Sequence, residues 1–134
     1  MKKFLCLILS IIFLFSFFGC EKSNTTSTTF SQQVTIVKLP SPPKCKTTDD
    51  ISIVNEIIAV LGEIEKSPIE DENINGGWSI MVKLNVDGQE FNYTIGGVFT
   101  DSDGKQYCVE NLDETEEKIL EIYDKIDAPE VDYP

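Results

Sequence analysis

The side chains of this chain that point to chemistry are its carboxylates and thiols. It contains no histidine, and its 11 basic residues are all lysine. The usual general base near neutral pH is therefore missing, together with every Ser-His or Cys-His nucleophile. No guanidinium fork exists for a bidentate grip on phosphate. Among the acids, Asp101, Asp103, Gly104 and Glu110 match part of a calcium-binding loop, which likewise carries Asp-Gly followed by an acid six residues on. The match stops there. Phe99 takes the first ligand position and Gln106 the hydrophobic one, and the flanks read as strands, so a plain hairpin turn and no metal are expected. Glu63, Glu65, Glu70, Asp71 and Glu72 form a second cluster. These acids are expected to be solvated, because a carboxylate pair for glycosidase chemistry needs a cleft.

Cys45 and Cys108 are the thiols of the folded part. Outside the cytoplasm they could close a disulfide, which in the chain-entropy model would contribute roughly 4 kcal/mol. The competing reading is two isolated thiols, since Cys108 is placed on an outer sheet face and nothing shows Cys45 reaching it. Without a histidine, neither is expected to be a catalytic thiolate. Trp78, with Gly76 and Gly77 before it and Gly96 and Gly97 nearby in register, reads as a core residue given room by the glycines; an exposed platform for a peptide or sugar is the other reading.

The elements that position these residues follow from periodicity. Residues 34–39 are β-branched and bounded by prolines, which predicts a strand with its buried face left open. Thr47 and Asp50 suggest a capping box, and residues 49–66 put Ile51, Val54, Ile57, Ile58, Leu61 and Ile64 at helical spacing. With Ile53 and Val60 added, the apolar face covers about half the circumference, wider than a minimal core stripe. Residues 70–77 read as an acidic loop.

Trp78, Ile80, Val82, Leu84 and Val86 alternate with polar residues or Met81, the period of a strand with one buried face. Asp87-Gly88 then signals a two-residue hairpin. That turn sets the register: Val86 opposes Gln89, Leu84 opposes Phe91, Val82 opposes Tyr93 and Ile80 opposes Ile95. On the other face Lys83 meets Asn92 and Met81 meets Thr94. Asp101 to Gly104 predicts a second turn with Gly104 left-handed, Asp101 beside Lys105 and Phe99 opposite Tyr107. Asp113 with Glu116 offers a cap for a last helix carrying Ile119, Ile122, Tyr123 and Ile126. The expected fold is a two-layer α+β domain of order β-α-β-β-β-α, an antiparallel meander with two helices on one face, spanning residues 34–127. Residues 128–134 read as an unstructured tail.

Before the domain, Lys2 and Lys3 precede an apolar run over residues 4–18, broken only by Ser10 and Ser16. The run is shorter than the about 20 residues a spanning helix needs. Its end, Ser16-Phe17-Phe18-Gly19-Cys20, resembles the lipobox of bacterial lipoproteins, with Phe17 where leucine is usual and Phe18 where a small residue is usual. The resemblance implies a signal peptide over residues 1–19, cleavage before Cys20, and a diacylglycerol thioether on Cys20 that holds the protein on the extracytoplasmic face of the cell membrane. Residues 20–33 are polar and hydroxyl-rich, a flexible tether spanning on the order of 20 Å. The order of elements is similar to that of small single-domain lipoproteins of Gram-positive bacteria.

Formal charge is -12, and cleavage would remove Lys2 and Lys3 as well. Nucleic acid is thereby disfavoured as a partner, because no basic stripe is present to release counterions. The chain is read as a non-enzymatic binding or accessory module without a cofactor. Its partner would be an envelope protein or peptide, met through the polar sheet face of Ser79, Met81, Lys83, Asn92 and Thr94, or through an unpaired strand edge. The alternative is a small carboxylate- or metal-dependent cell-envelope hydrolase, which would need a deep pocket lined by acids.

Overall fold

The computed structural model describes residues 31–69 and 77–134. The expected signal peptide, Cys20 and most of the tether lie outside these residues, as do Glu70, Asp71 and Glu72. The elements are β1 (Gln32–Lys38), β2 (Lys44–Thr48), α1 (Ile51–Gly62), β3 (Lys66–Pro68), β4 (Trp78–Val86), β5 (Gln89–Gly96), β6 (Phe99–Thr100), β7 (Gln106–Val109), α2 (Leu112–Lys125) and β8 (Val131–Asp132). All eight strands join one antiparallel sheet in the order β3-β7-β6-β5-β4-β1-β2-β8. The domain is α+β, as the patterning predicts.

Both helices lie on one sheet face. Val34, Ile36, Ile80, Val82, Leu84, Ile95 and Phe99 from the sheet pack with Val54, Ile57 and Leu61 of α1 and with Ile119, Ile122 and Tyr123 of α2. The β4–β5 hairpin has the expected register, with Leu84 opposite Phe91 and Val82 opposite Tyr93. Asp87 and Gly88 take the positive φ angles (54° and 83°) that a two-residue turn of this hand requires. In the next turn the N–H of Asp101 bonds to the carbonyl of Lys105, Gly104 has φ 78°, and Phe99 opposes Tyr107.

Other elements differ from expectation. The first helix spans Ile51–Gly62 and starts there because Asp50, not Thr47, caps it: the Asp50 carboxylate accepts from the Ser52 amide at 2.9 Å. Thr47 belongs to β2, where its hydroxyl lies 2.8 Å from that of Thr35. Ile51 and Ile58 stay exposed, so the core uses only part of the wide apolar face. The second helix starts at Leu112 with Asn111 as N-cap and no side-chain capping bond. Asp113 and Glu114 in its first turn complement the helix dipole instead.

The acidic tail is ordered. Val131 and Asp132 pair with Cys45 and Lys44 of β2, and the Tyr133 amide bonds to the Pro43 carbonyl at 2.9 Å. Charge rather than apolar burial recruits it: Glu130 meets Lys38 at 2.9 Å, and Asp132 pairs with Lys44.

Candidate functional site

The outer sheet face brings the expected binding residues together. Met81 stands opposite Thr94 and Lys83 opposite Asn92, with Ser79 beside Met81 on β4. The same face continues across β1, where Val37 opposes Met81 and Thr35 opposes Lys83. Asn92 is exposed and donates to Glu90 at 3.0 Å, whereas Ser79, Met81, Lys83 and Thr94 are half-buried. Ser79 spends its hydroxyl on the Ile95 carbonyl at 3.1 Å, so it serves the sheet rather than solvent. The tail reaches this face too, since the Lys83 ammonium lies 5.1 Å from the Tyr133 ring centroid. Hydrogen bonding with Tyr133 holds the Lys83 ammonium above the ordinary lysine value.

Cys45 and Cys108 are both free, so of the two readings the structure has the isolated thiols rather than the bond. Cys45 sits buried in β2 and Cys108 exposed in β7, five strand steps apart in the sheet. At about 4.8 Å per step that separation far exceeds the Cα distance of about 7 Å a disulfide tolerates. Burial pushes the Cys45 thiol up, and Asp132 adds to the shift, the opposite of an activated nucleophile.

Trp78 departs from the core reading. The register slips between Trp78 and Ile80, so Trp78 opposes Gly96 while Ile80 opposes Ile95. Such a bulge breaks the alternation and leaves the indole half-buried, outside the core cluster. Gly96 makes room for backbone, not for the indole: a Cβ there would fall 2.0 Å from the Gly77 carbonyl oxygen and 2.5 Å from the Trp78 Cα.

Asp101 is a turn residue. Its Oδ1 accepts from the amides of Asp103 at 3.0 Å and Lys105 at 2.9 Å. Desolvation opposes its ionisation, but these amides, with a hydrogen bond from Tyr107 and the charge of Lys66, together hold the carboxyl below its ordinary value. Among the described residues, no group of three or more acids and thiols is arranged to hold a metal. Asp113, Glu116, Glu117, Glu121 and Asp124 line a shallow depression with Leu120 on α2. They share one side of a single helix, which does not set two carboxylates across a substrate.

An apolar groove escaped sequence reasoning. Ile58, Leu61, Leu84, Val86, Phe91 and Tyr93 line about 330 Å³ between α1 and the β4–β5 hairpin, with Lys66 at the side. Its signals were an apolar face on the first helix wider than a core stripe needs, and Val86, the one apolar residue of its strand face that meets a polar partner, Gln89. Among the described residues no helix is long and apolar enough to cross a membrane. Comparison with known proteins finds no matching family model, no matching curated protein and no matching solved structure, so function has to be read from these residues.

Proposed function

We propose that the chain is a bacterial lipoprotein, anchored to the extracytoplasmic face of the cell membrane by a diacylglycerol thioether on Cys20. Its domain is a non-catalytic binding or accessory module for an envelope protein or peptide. The observation that carries the second part is the β4–β5 register, which sets Met81, Lys83, Asn92 and Thr94 side by side on the face that both helices leave open. Such a row offers a cation, an amide, a hydroxyl and a thioether to one extended partner. The leader and Cys20 support the first part, since two acyl chains bind stably at roughly 0.8 kcal/mol per buried methylene.

Two measurements test the reading. Mass spectrometry of the native protein should find Cys20 as a diacylated N-terminus; an unmodified thiol with residues 1–19 still attached would overturn the anchor. A photo-crosslinker placed at Asn92 in the membrane-tethered chain should capture a discrete envelope component, while one at Glu117 on α2 should not. Equal capture from both positions, or none from Asn92, would overturn the binding face.

A further inference from the structure

Positive charge in this acidic chain gathers on neighbouring strands: Lys44 and Lys46 on β2, Lys38 on β1 and Lys83 on β4. Lys46 is committed to α2, donating to the carbonyls of Tyr123 and Ile126. The other three meet the tail residue by residue. Lys38 pairs with Glu130 at 2.9 Å, Lys44 with Asp132, and Lys83 lies over the Tyr133 ring. The Tyr123 hydroxyl adds a 2.7 Å hydrogen bond to Glu130. Glu130 and Asp132 alternate along the chain with Val131, which is 51% exposed. Backbone pairing with alternate side chains read by pockets or charges is the pattern of strand addition at a sheet edge.

The tail fills this edge only in part. It pairs with Lys44 and Cys45, leaving Lys46, Thr47 and Thr48 of β2 without a strand on that side among the described residues. Its ion pair at Asp132 is open to water, with that side chain 72% exposed, so screened charge rather than burial holds it down. A longer acidic strand would keep the lysine contacts and gain the unused backbone groups of β2.

We propose that the edge of β2, with Lys38, Lys44 and Lys83, is the docking site for an acidic extended peptide of a partner protein. The tail occupies it in cis until the partner strand replaces it. This site rests on the reading of the domain as a binding module, and it names the chemistry of the partner.

A fluorescent peptide with the sequence of residues 128–134, titrated into the full mature chain, tests it. Binding should be about tenfold tighter to the Glu130→Gln, Asp132→Asn variant, whose own tail has lost its acids, than to wild type, as expected if the tail covers the edge about nine-tenths of the time. It should weaken with salt and vanish when Lys44→Glu is added. Equal affinity for both proteins, or indifference to salt and to Lys44→Glu, would overturn the site. Hydrogen exchange on wild type gives a second reading that needs no variant. The amides of Val131, Asp132 and Tyr133 should exchange faster than those of β4 and faster still with excess peptide. Tail amides as protected as β4 would overturn displacement, and concentration-dependent dimers with exchanged tails would overturn it by placing a second copy on the edge. Crosslinks from Asn92 without peptide binding would sink this site and leave the outer binding face intact; peptide binding without such crosslinks would sink the outer face and leave this site.

Discussion

The hydroxyl of Tyr123 donates a 2.7 Å hydrogen bond to Glu130, and the same carboxylate lies 2.9 Å from the Lys38 ammonium. The last helix, the first strand and the tail therefore converge on one acid.

That convergence sets a pH dependence at both ends of the scale. The Tyr123 hydrogen bond and then Lys38 hold the Glu130 carboxyl below its ordinary value. Its stabilising effect is complete above the unfolded glutamate value of about 4.3 and is lost as pH falls through the lower folded value. Burial, with Glu130 second, pushes the Tyr123 phenol up. The unfolded chain releases that proton from about pH 10, so stability falls as pH rises beyond it. Thermal unfolding should show a steeper acid loss for wild type than for Glu130→Gln, and a steeper alkaline loss than for Tyr123→Phe. At neutral pH Tyr123→Phe should cost about 1 kcal/mol. Parallel curves for wild type and variants would show that these groups are not linked to folding.

A glycine at position 96 is demanded by backbone on the neighbouring strand. A methyl group there would lie 2.0 Å from the Gly77 oxygen and 2.8 Å from the Gly77 carbonyl carbon, atoms that cannot rotate away. Gly96→Ala should therefore destabilise by about 3 kcal/mol in urea unfolding, with the bulge at Trp78 displaced. Gly62 is the control. It ends α1, and a methyl group added there would meet nothing within 4 Å, so Gly62→Ala should add about 0.5 kcal/mol through helix propensity. Similar losses at both positions would contradict the close approach.

The two hairpins were legible because independent signals coincide in them. Asp87-Gly88 dictates a turn, the alternation from Ile80 to Val86 dictates a face, and both give Leu84 opposite Phe91. β2 and β8 were not legible. Lys44 to Thr48 has no apolar alternation, and it forms because β1 offers a free edge, Thr47 meets Thr35, and Lys46 reaches the end of α2. β8 is only Val131 and Asp132, and it depends on Lys44 and Lys38 from the far end of the domain, a pairing no local pattern announces. Trp78 misled because a bulge is a property of two strands, invisible in the alternation of one. The placement of Met81, Lys83, Asn92 and Thr94 on one outer face was legible for the reason that the hairpin was.

The two thiols should differ in reactivity. Cys108 is exposed on β7, whereas Cys45 is 6% exposed in β2 and its thiol is pushed up by burial. An aromatic disulfide reagent added to the folded protein should titrate Cys108 at once and Cys45 only on unfolding. Pairing in the non-reduced protein, seen as protection of both until a reductant is added, would contradict the strand order that separates them.

Lys46 supplies the last prediction. Its ammonium donates to the carbonyls of Tyr123 at 3.3 Å and Ile126 at 3.1 Å, at the C-terminal end of α2, and sits 5.0 Å from the Tyr123 ring centroid. The Tyr123 carbonyl also accepts the Ile126 amide, so the ammonium adds a second donor there, and its charge opposes the negative end of the helix dipole. The site is partly buried, so solvent screens it less than the Lys118–Glu114 pair on the outer turn of the same helix. Lys46→Met keeps the aliphatic stem and removes only the charge and its donors. It should lower stability by about 1.5 kcal/mol and speed hydrogen exchange in the last turn of α2. Lys118→Met should change neither measurably, because an exposed pair of this spacing contributes little. If both variants unfolded alike, Lys46 would be one more surface lysine, and the reason for a strand of alternating lysines beside a helix end would have to be sought elsewhere.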